Sequence, residues 1–247
     1  MDNAIDKIGI YDFFSCFLSG IIFVILCILS GIPAKYFFLQ EYNDTIQVIS
    51  FLLIGYFWGL ILQGLGSLLD KQLSIPGFKS WASRNFLNET KFFCVFKDEL
   101  ERKEMQALVN TVLDNYISSY TPDIKNNSKC YNVYQHCVEY LQHYGKIEKS
   151  ERINSTYGML RSLMIATSLL LLWYNLHPDI PSVNILNFYC LEIPFKVFIK
   201  LLFFFFTIFF AIRSSSMAKY RVRVILREYK LLTTEKNTSN TMKENKA

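Results

Sequence analysis

Apolar residues in this chain gather into long unbroken runs separated by mixed, charged stretches, unlike the short alternations of a soluble fold. The 22 residues Phe13 to Ala34 carry no charge, nor do the 25 from Thr45 to Leu69. About 20 consecutive apolar residues, rising ~1.5 Å each, cross a ~30 Å hydrocarbon layer as a helix. The pattern predicts four spans: Phe13 to Ile32, Ile46 to Leu69, Ser162 to Leu176 extended to Pro178, and Ile193 to Ile212. The third has 17 uncharged residues between Arg161 and Asp179, with Trp173, Tyr174 and His177 suited to an interfacial end. The fourth is interrupted by Lys196 and Lys200 before the run LLFFFFTIFFAI. The first span is too long for a signal-peptide core and follows an acidic leader, so it reads as a retained anchor.

Between the second and third spans the period changes. Met105, Leu108, Val112 and Tyr116 recur at helical spacing from Asp98 toward Tyr120, ended by Thr121-Pro122-Asp123. A polar loop is expected at Lys125–Lys129. Tyr134, Cys137, Val138, Leu141 and Tyr144 then mark a second amphipathic helix closed by Gly145. A helix from about Ile147 should run through Arg161 into the third span. No strand alternation of any length occurs, so the fold class is an all-α membrane protein. It has four transmembrane helices and a small helical cytosolic domain between spans 2 and 3. The expected division is 1–70, an N-terminal hairpin; 71–155, the cytosolic domain; 156–213, a C-terminal hairpin; and 214–247, a basic juxtamembrane helix with a disordered tail from Thr233.

Charge sets the direction. Basic residues are retained on the cytoplasmic side. With both termini and the middle loop inside, 23 of the 26 Lys and Arg face the cytoplasm, and only Lys35, Lys196 and Lys200 lie outside. The overall composition, 51% hydrophobic and 19% charged, excludes disorder and a collagenous chain. The six cysteines do not form a secreted disulfide framework, because five fall in the bilayer or a reducing compartment.

Candidate chemistry is sparse. Cys130, Cys137, His136 and His143 resemble a zinc set. Yet like residues are seven apart, about 10.5 Å along a helix, whereas ligands lie ~2.0–2.3 Å from one ion. No phosphate loop, nucleophile elbow or zinc-protease motif is present. No metal, no cofactor and no enzymatic activity are therefore expected.

Three groups of residues remain. Gly55, Gly59, Gln63 and Gly66 form a small-residue stripe on the second span, matched by Cys16, Gly20, Cys27 and Gly31 on the first. Such stripes let backbones approach closely, within one chain or between subunits of a homo-oligomer. Glu192, Lys196 and Lys200 share one face of the fourth span; they either snorkel to the outer headgroups or line a polar pathway. Arg152 and Arg161, with Lys219, Arg223 and Arg227 on one stripe after the fourth span and Arg221 beside them in sequence, suit contact with anionic lipid or a cytosolic partner or signal. Nucleic acid fits less well, since aromatic stacking platforms are missing.

Two stretches carry a resemblance: YDFFSCFLSG from Tyr11 to Gly20, and ERINSTYGMLR from Glu151 to Arg161. They are similar to small uncharacterised bacterial four-span membrane proteins, some of which accompany antiphage or CRISPR systems. Many of those have proline where this chain has Ser19. The resemblance implies a multi-pass protein of the bacterial inner membrane that serves phage defence as an accessory or effector, and that permeabilises the membrane as an oligomer. Alternatives are an anchored scaffold or regulator without a pore, and a membrane-tethered hydrolase or nuclease.

Overall fold

The computed structural model describes residues 2–30, 32–33, 37, 43–73, 78–87, 94–116, 126–176 and 195–244. Among these the chain is helical, with no strand: α1 (Asp2–Leu29), α2 (Asp44–Leu73), α3 (Lys79–Arg84), α4 (Glu99–Tyr116), α5 (Asn126–His143), α6 (Glu148–Leu176) and α7 (Phe195–Glu244). Three stretches are long and apolar enough to cross a membrane: Asp44–Lys71, Glu148–Leu176 and Val197–Lys236. The apolar part of α1, Phe13–Leu29, is shorter. The protein is thus a helical protein of the membrane-spanning class.

The chain divides into two compact units. One comprises Met1–Ile8, Asp70–Asn154 and Ser215–Ala247; the other comprises Gly9–Leu69 and Ser155–Ser214. We call them the polar-helix unit and the apolar unit.

In the apolar unit the core joins Phe23, Val24 and Cys27 of α1 to Leu62 of α2, Ile165, Ala166 and Leu170 of α6, and Ile199 and Phe203 of α7. Half of the apolar window of α6 is buried, against 17% for α2 and α7, so α6 is the most enclosed of the three. Two polar contacts join helices inside the unit. The Tyr174 hydroxyl donates to the Ser30 carbonyl at 2.8 Å, and Thr207 Oγ1 donates to Thr167 Oγ1 at 2.9 Å. Side chains turned outward are large and apolar, among them Leu53, Phe57, Leu68, Phe205 and Ile212.

In the polar-helix unit, Met105, Val109 and Val112 of α4, Val133, Cys137 and Leu141 of α5, and Val222, Ile225 and Leu226 of α7 are all buried. The α5 stripe runs at the 3.6-residue period. Gly145 ends that helix at φ +64, with Lys146 N–H bonded to the Leu141 carbonyl at 2.9 Å and Gly145 N–H to that of Gln142 at 3.0 Å. This is the glycine-dependent cap in which a left-handed residue satisfies the last carbonyls.

Two expectations are corrected here. The polar stretch Asn126–Lys129 is the first turn of α5, not a loop. The segment from Thr233 is not a disordered tail either, since α7 continues to Glu244. Thr233 and Thr234 donate back to the carbonyls of Tyr229 and Lys230, and Lys236 donates to the Tyr144 hydroxyl at 2.8 Å. Composition alone misses the last of these, a contact with a residue 92 positions away. Residues 177–194, which join the third and fourth predicted spans, and residues 74–77 lie outside the described residues.

Cys130 and Cys137 are both buried, and burial pushes their thiols up to about 11 and about 12. Both should resist maleimide in the native protein at pH 7.5 and react once it is denatured, as mass spectrometry would count. The same shift has a stability consequence. Between the ordinary value of 9.0 and about 12 the native state keeps the Cys137 proton that the unfolded state releases. Stability is therefore intact below pH 9 and falls as pH rises, by up to about 1.4 kcal/mol per pH unit.

Candidate functional site

Cys16 and Gly20 of α1 meet Gly55 and Gly59 of α2 where the two helices cross within one chain, and Gly31 lies outside the described residues. A Cβ added at Gly20 would strike the Gly55 carbonyl and come within 2.5 Å of the Gly59 nitrogen; one added at Gly59 would strike the Cys16 carbonyl. Backbone meets backbone, which only glycine permits. One turn along, the Cys16 thiol donates to Gln63 Oε1. The amide of Gln63 also faces Gly158 of α6, where an added Cβ would lie 3.4 Å from its nitrogen.

Arg161 completes this seam. It is 8% exposed, lies over the Tyr157 ring at 5.2 Å and points Nη2 at the Gln63 carbonyl at 3.5 Å. Its stem occupies the space that a side chain at Gly66 would need. The reading of Arg161 as a lipid or partner contact is corrected: its guanidinium is enclosed by α2 and its own helix. Gly55, Gly59, Gln63 and Gly66 are thus brought together with Arg161 and Cys16 in one polar seam. The sequence stripe contains the first four, and the arginine, 98 residues from Gln63, is invisible to it.

The proposed polar pathway is less well assembled. Glu192 and the side chain of Lys196 lie outside the described residues, and Lys200 is half-buried.

The basic stripe of α7 is largely occupied inside the polar-helix unit. Arg221, 6% exposed, donates from Nε to Ser150 Oγ at 3.1 Å and pairs with Glu151 at 3.4 Å. Its assignment to lipid is corrected for the same reason as that of Arg161. Arg227 pairs with Glu101 at 2.6 Å, Lys230 with Glu104 at 2.7 Å, and Lys149 with Glu228 at 3.5 Å. Arg223 stacks on Tyr220 at 5.8 Å, and Lys219 is half-buried. Arg152 is exposed and pairs with Glu148 one turn away at 2.9 Å.

The acidic partners Glu101, Glu104 and Glu151 were missed by sequence reasoning. A signal existed for two of them. Glu101 and Glu104 repeat the three-residue spacing of Arg227 and Lys230, so two helices running in the same direction can match both pairs.

Among the described residues no group of three or more His, Cys, Asp or Glu is placed to hold a metal ion. His136 instead packs its ring edge-on to Tyr229 at 5.9 Å. No family model, curated protein or solved structure matches the chain.

Proposed function

We propose that the chain is a non-enzymatic accessory protein of the bacterial cytoplasmic membrane, anchored by four spans with both termini cytoplasmic. Its polar-helix unit acts as a regulator or docking scaffold in a phage-defence setting. The topology is supported by the charge partition and by the membership of both terminal segments and the middle segment in one compact unit. The defence setting rests on the resemblance of Tyr11–Gly20 and Glu151–Arg161.

One observation carries the scaffold over the permeabilising oligomer. The outward side chains of the apolar unit are overwhelmingly Leu, Ile, Val and Phe, while Cys16, Gln63, Thr167, Tyr174 and Thr207 direct their polar atoms to partners inside a single chain. A water-filled path between subunits needs polar side chains on those outward faces, because an unsatisfied polar lining in lipid is costly.

The test is dye release from liposomes holding the reconstituted protein and anionic lipid. Leakage is expected to stay at the protein-free level. Leakage that rises with protein and disappears in Lys200→Leu would instead establish the pore, with Lys200 on its wall.

A further inference from the structure

The helices of the apolar unit end together at one rim. Cys16 meets Gly59 and Gly20 meets Gly55, so α1 and α2 run in opposite directions and the end of α1 lies level with Asp44, the first residue of α2. At that end the Tyr174 hydroxyl of α6 donates to the Ser30 carbonyl, one residue past α1. The Tyr174 ring packs on that of Phe203 of α7 at 5.9 Å, and α6 closes at Leu176.

Lys200 lies one turn from Phe203 toward this rim, about 4.5 Å along the axis at the helical rise. It is therefore level with the ends of its neighbours and not with the middle of a span. The side chain is half-buried, and among the described residues no carboxylate pairs with it. Asp44, the acid at the same rim, is exposed and is not bonded to it.

An ammonium in hydrocarbon must pair, meet water or reach outward. From this level a lysine's flexible four-carbon stem carries the charge to the headgroup layer while its methylenes stay in the apolar zone. Trp173, 40% exposed beside Tyr174, belongs to the class of side chains that marks that layer.

The face inward of Lys200 decides between headgroup and pathway. A polar pathway would continue at the positions one and two turns deeper, and these are Phe204 and Ile208, both exposed and apolar. Thr207, the nearest polar residue inward, is bonded to Thr167. This is a surface for acyl chains with a single cation at its upper edge. The groups a cation meets in the headgroup layer are phosphates, and a zwitterionic lipid already carries a cation of its own beside its phosphate. An anionic lipid does not.

We propose that Lys200 binds the phosphate of an anionic phospholipid at this rim, with the acyl chains along Phe204 and Ile208. The inference rests on the reading above only for the leaflet, which is the outer one in that topology.

The experiment holds the full chain in nanodiscs of equal phosphatidylglycerol and phosphatidylcholine. One of the two lipids carries a photoreactive diazirine near its glycerol, and adducts are mapped by mass spectrometry. In the segment 195–205, phosphatidylglycerol is expected to label about fivefold more than phosphatidylcholine, the factor for one basic residue at an anionic surface. Lys200→Gln should bring that ratio to parity and Lys200→Arg should keep it. Both should leave the ratio at 209–214, the far end of the span, as in the parent.

Equal labelling of 195–205 in the parent overturns the proposal, as does a preference that survives Lys200→Gln. Nanodiscs offer lipid on both faces, so these ratios do not depend on the direction of threading. Failed labelling with liposomes still tight would sink this inference alone. Leakage abolished by Lys200→Leu would give the residue to a pore and sink the scaffold reading with it.

Discussion

Replacing Gly20 by leucine is expected to abolish the folded apolar unit. The added Cβ would occupy the position of the Gly55 carbonyl, and the obstacle is backbone in the middle of α2, which no rotamer change relieves. Overpacking a core ordinarily costs about 1–3 kcal/mol because side chains can shift. Here the two helices must separate, and with them the Cys16–Gln63 contact one turn away. The expected loss is therefore at the top of that range or beyond, large against the ~5–15 kcal/mol by which folded proteins are stable.

Gly64→Ala is the matched control. It lies on the same helix, nothing stands within 4 Å of an added Cβ, and alanine is the better helix former. A thiol-reactive thermal melt of purified protein should show Gly20→Leu unfolded or sharply lowered and Gly64→Ala level with the parent. A melt of Gly20→Leu that matches Gly64→Ala would mean that α1 and α2 do not cross at these glycines.

The second large effect belongs to Arg221. Its guanidinium is buried with Ser150 and Glu151, and Tyr134 beside it has its hydroxyl pushed above the ordinary tyrosine value by burial. Removing one member of a buried ion pair strands the other, at a cost of about 3–5 kcal/mol. Arg221→Ala should therefore destabilise the polar-helix unit by that amount.

Arg227→Ala should cost less than about 1 kcal/mol, although its pair with Glu101 is shorter, because its side chain is 56% exposed and water screens the charge. Distance and worth are thus ranked in opposite orders. The double variant Arg221→Met with Glu151→Gln should recover most of the loss, since neither charge is then stranded. Denaturant titration of the three variants tests this, and a larger loss for Arg227→Ala than for Arg221→Ala would contradict the burial argument.

The two predictions rest on features of different legibility. Gly55 and Gly59 stand out in the sequence because small residues four apart in an apolar run have few uses other than close packing. Their partners at Cys16 and Gly20 show the same spacing. The α4 and α5 stripes are likewise visible, since burying one helix face requires an apolar residue every three or four positions. Arg221 was misread because its sequence neighbourhood, rich in Lys and Arg, describes a helix surface as a whole. Which positions of that surface turn inward depends on where Ser150 and Glu151 come to lie, some 70 residues away. Arg161 was misread for the same reason.

The sequence by itself determined that the chain is helical, that it contains segments made for a hydrocarbon layer, and which glycines allow helices to touch. Those properties follow from local composition and period, and every residue needed to read them lies within one segment. Only the tertiary structure decided that the end of α7 is ordered helix, that its cations meet the acids of α4 and α6, and that Lys200 stands where the helices of the apolar unit end. Each of these depends on groups brought together from segments far apart in the chain, and an ion pair or a shared helix end leaves no periodic trace in either segment alone.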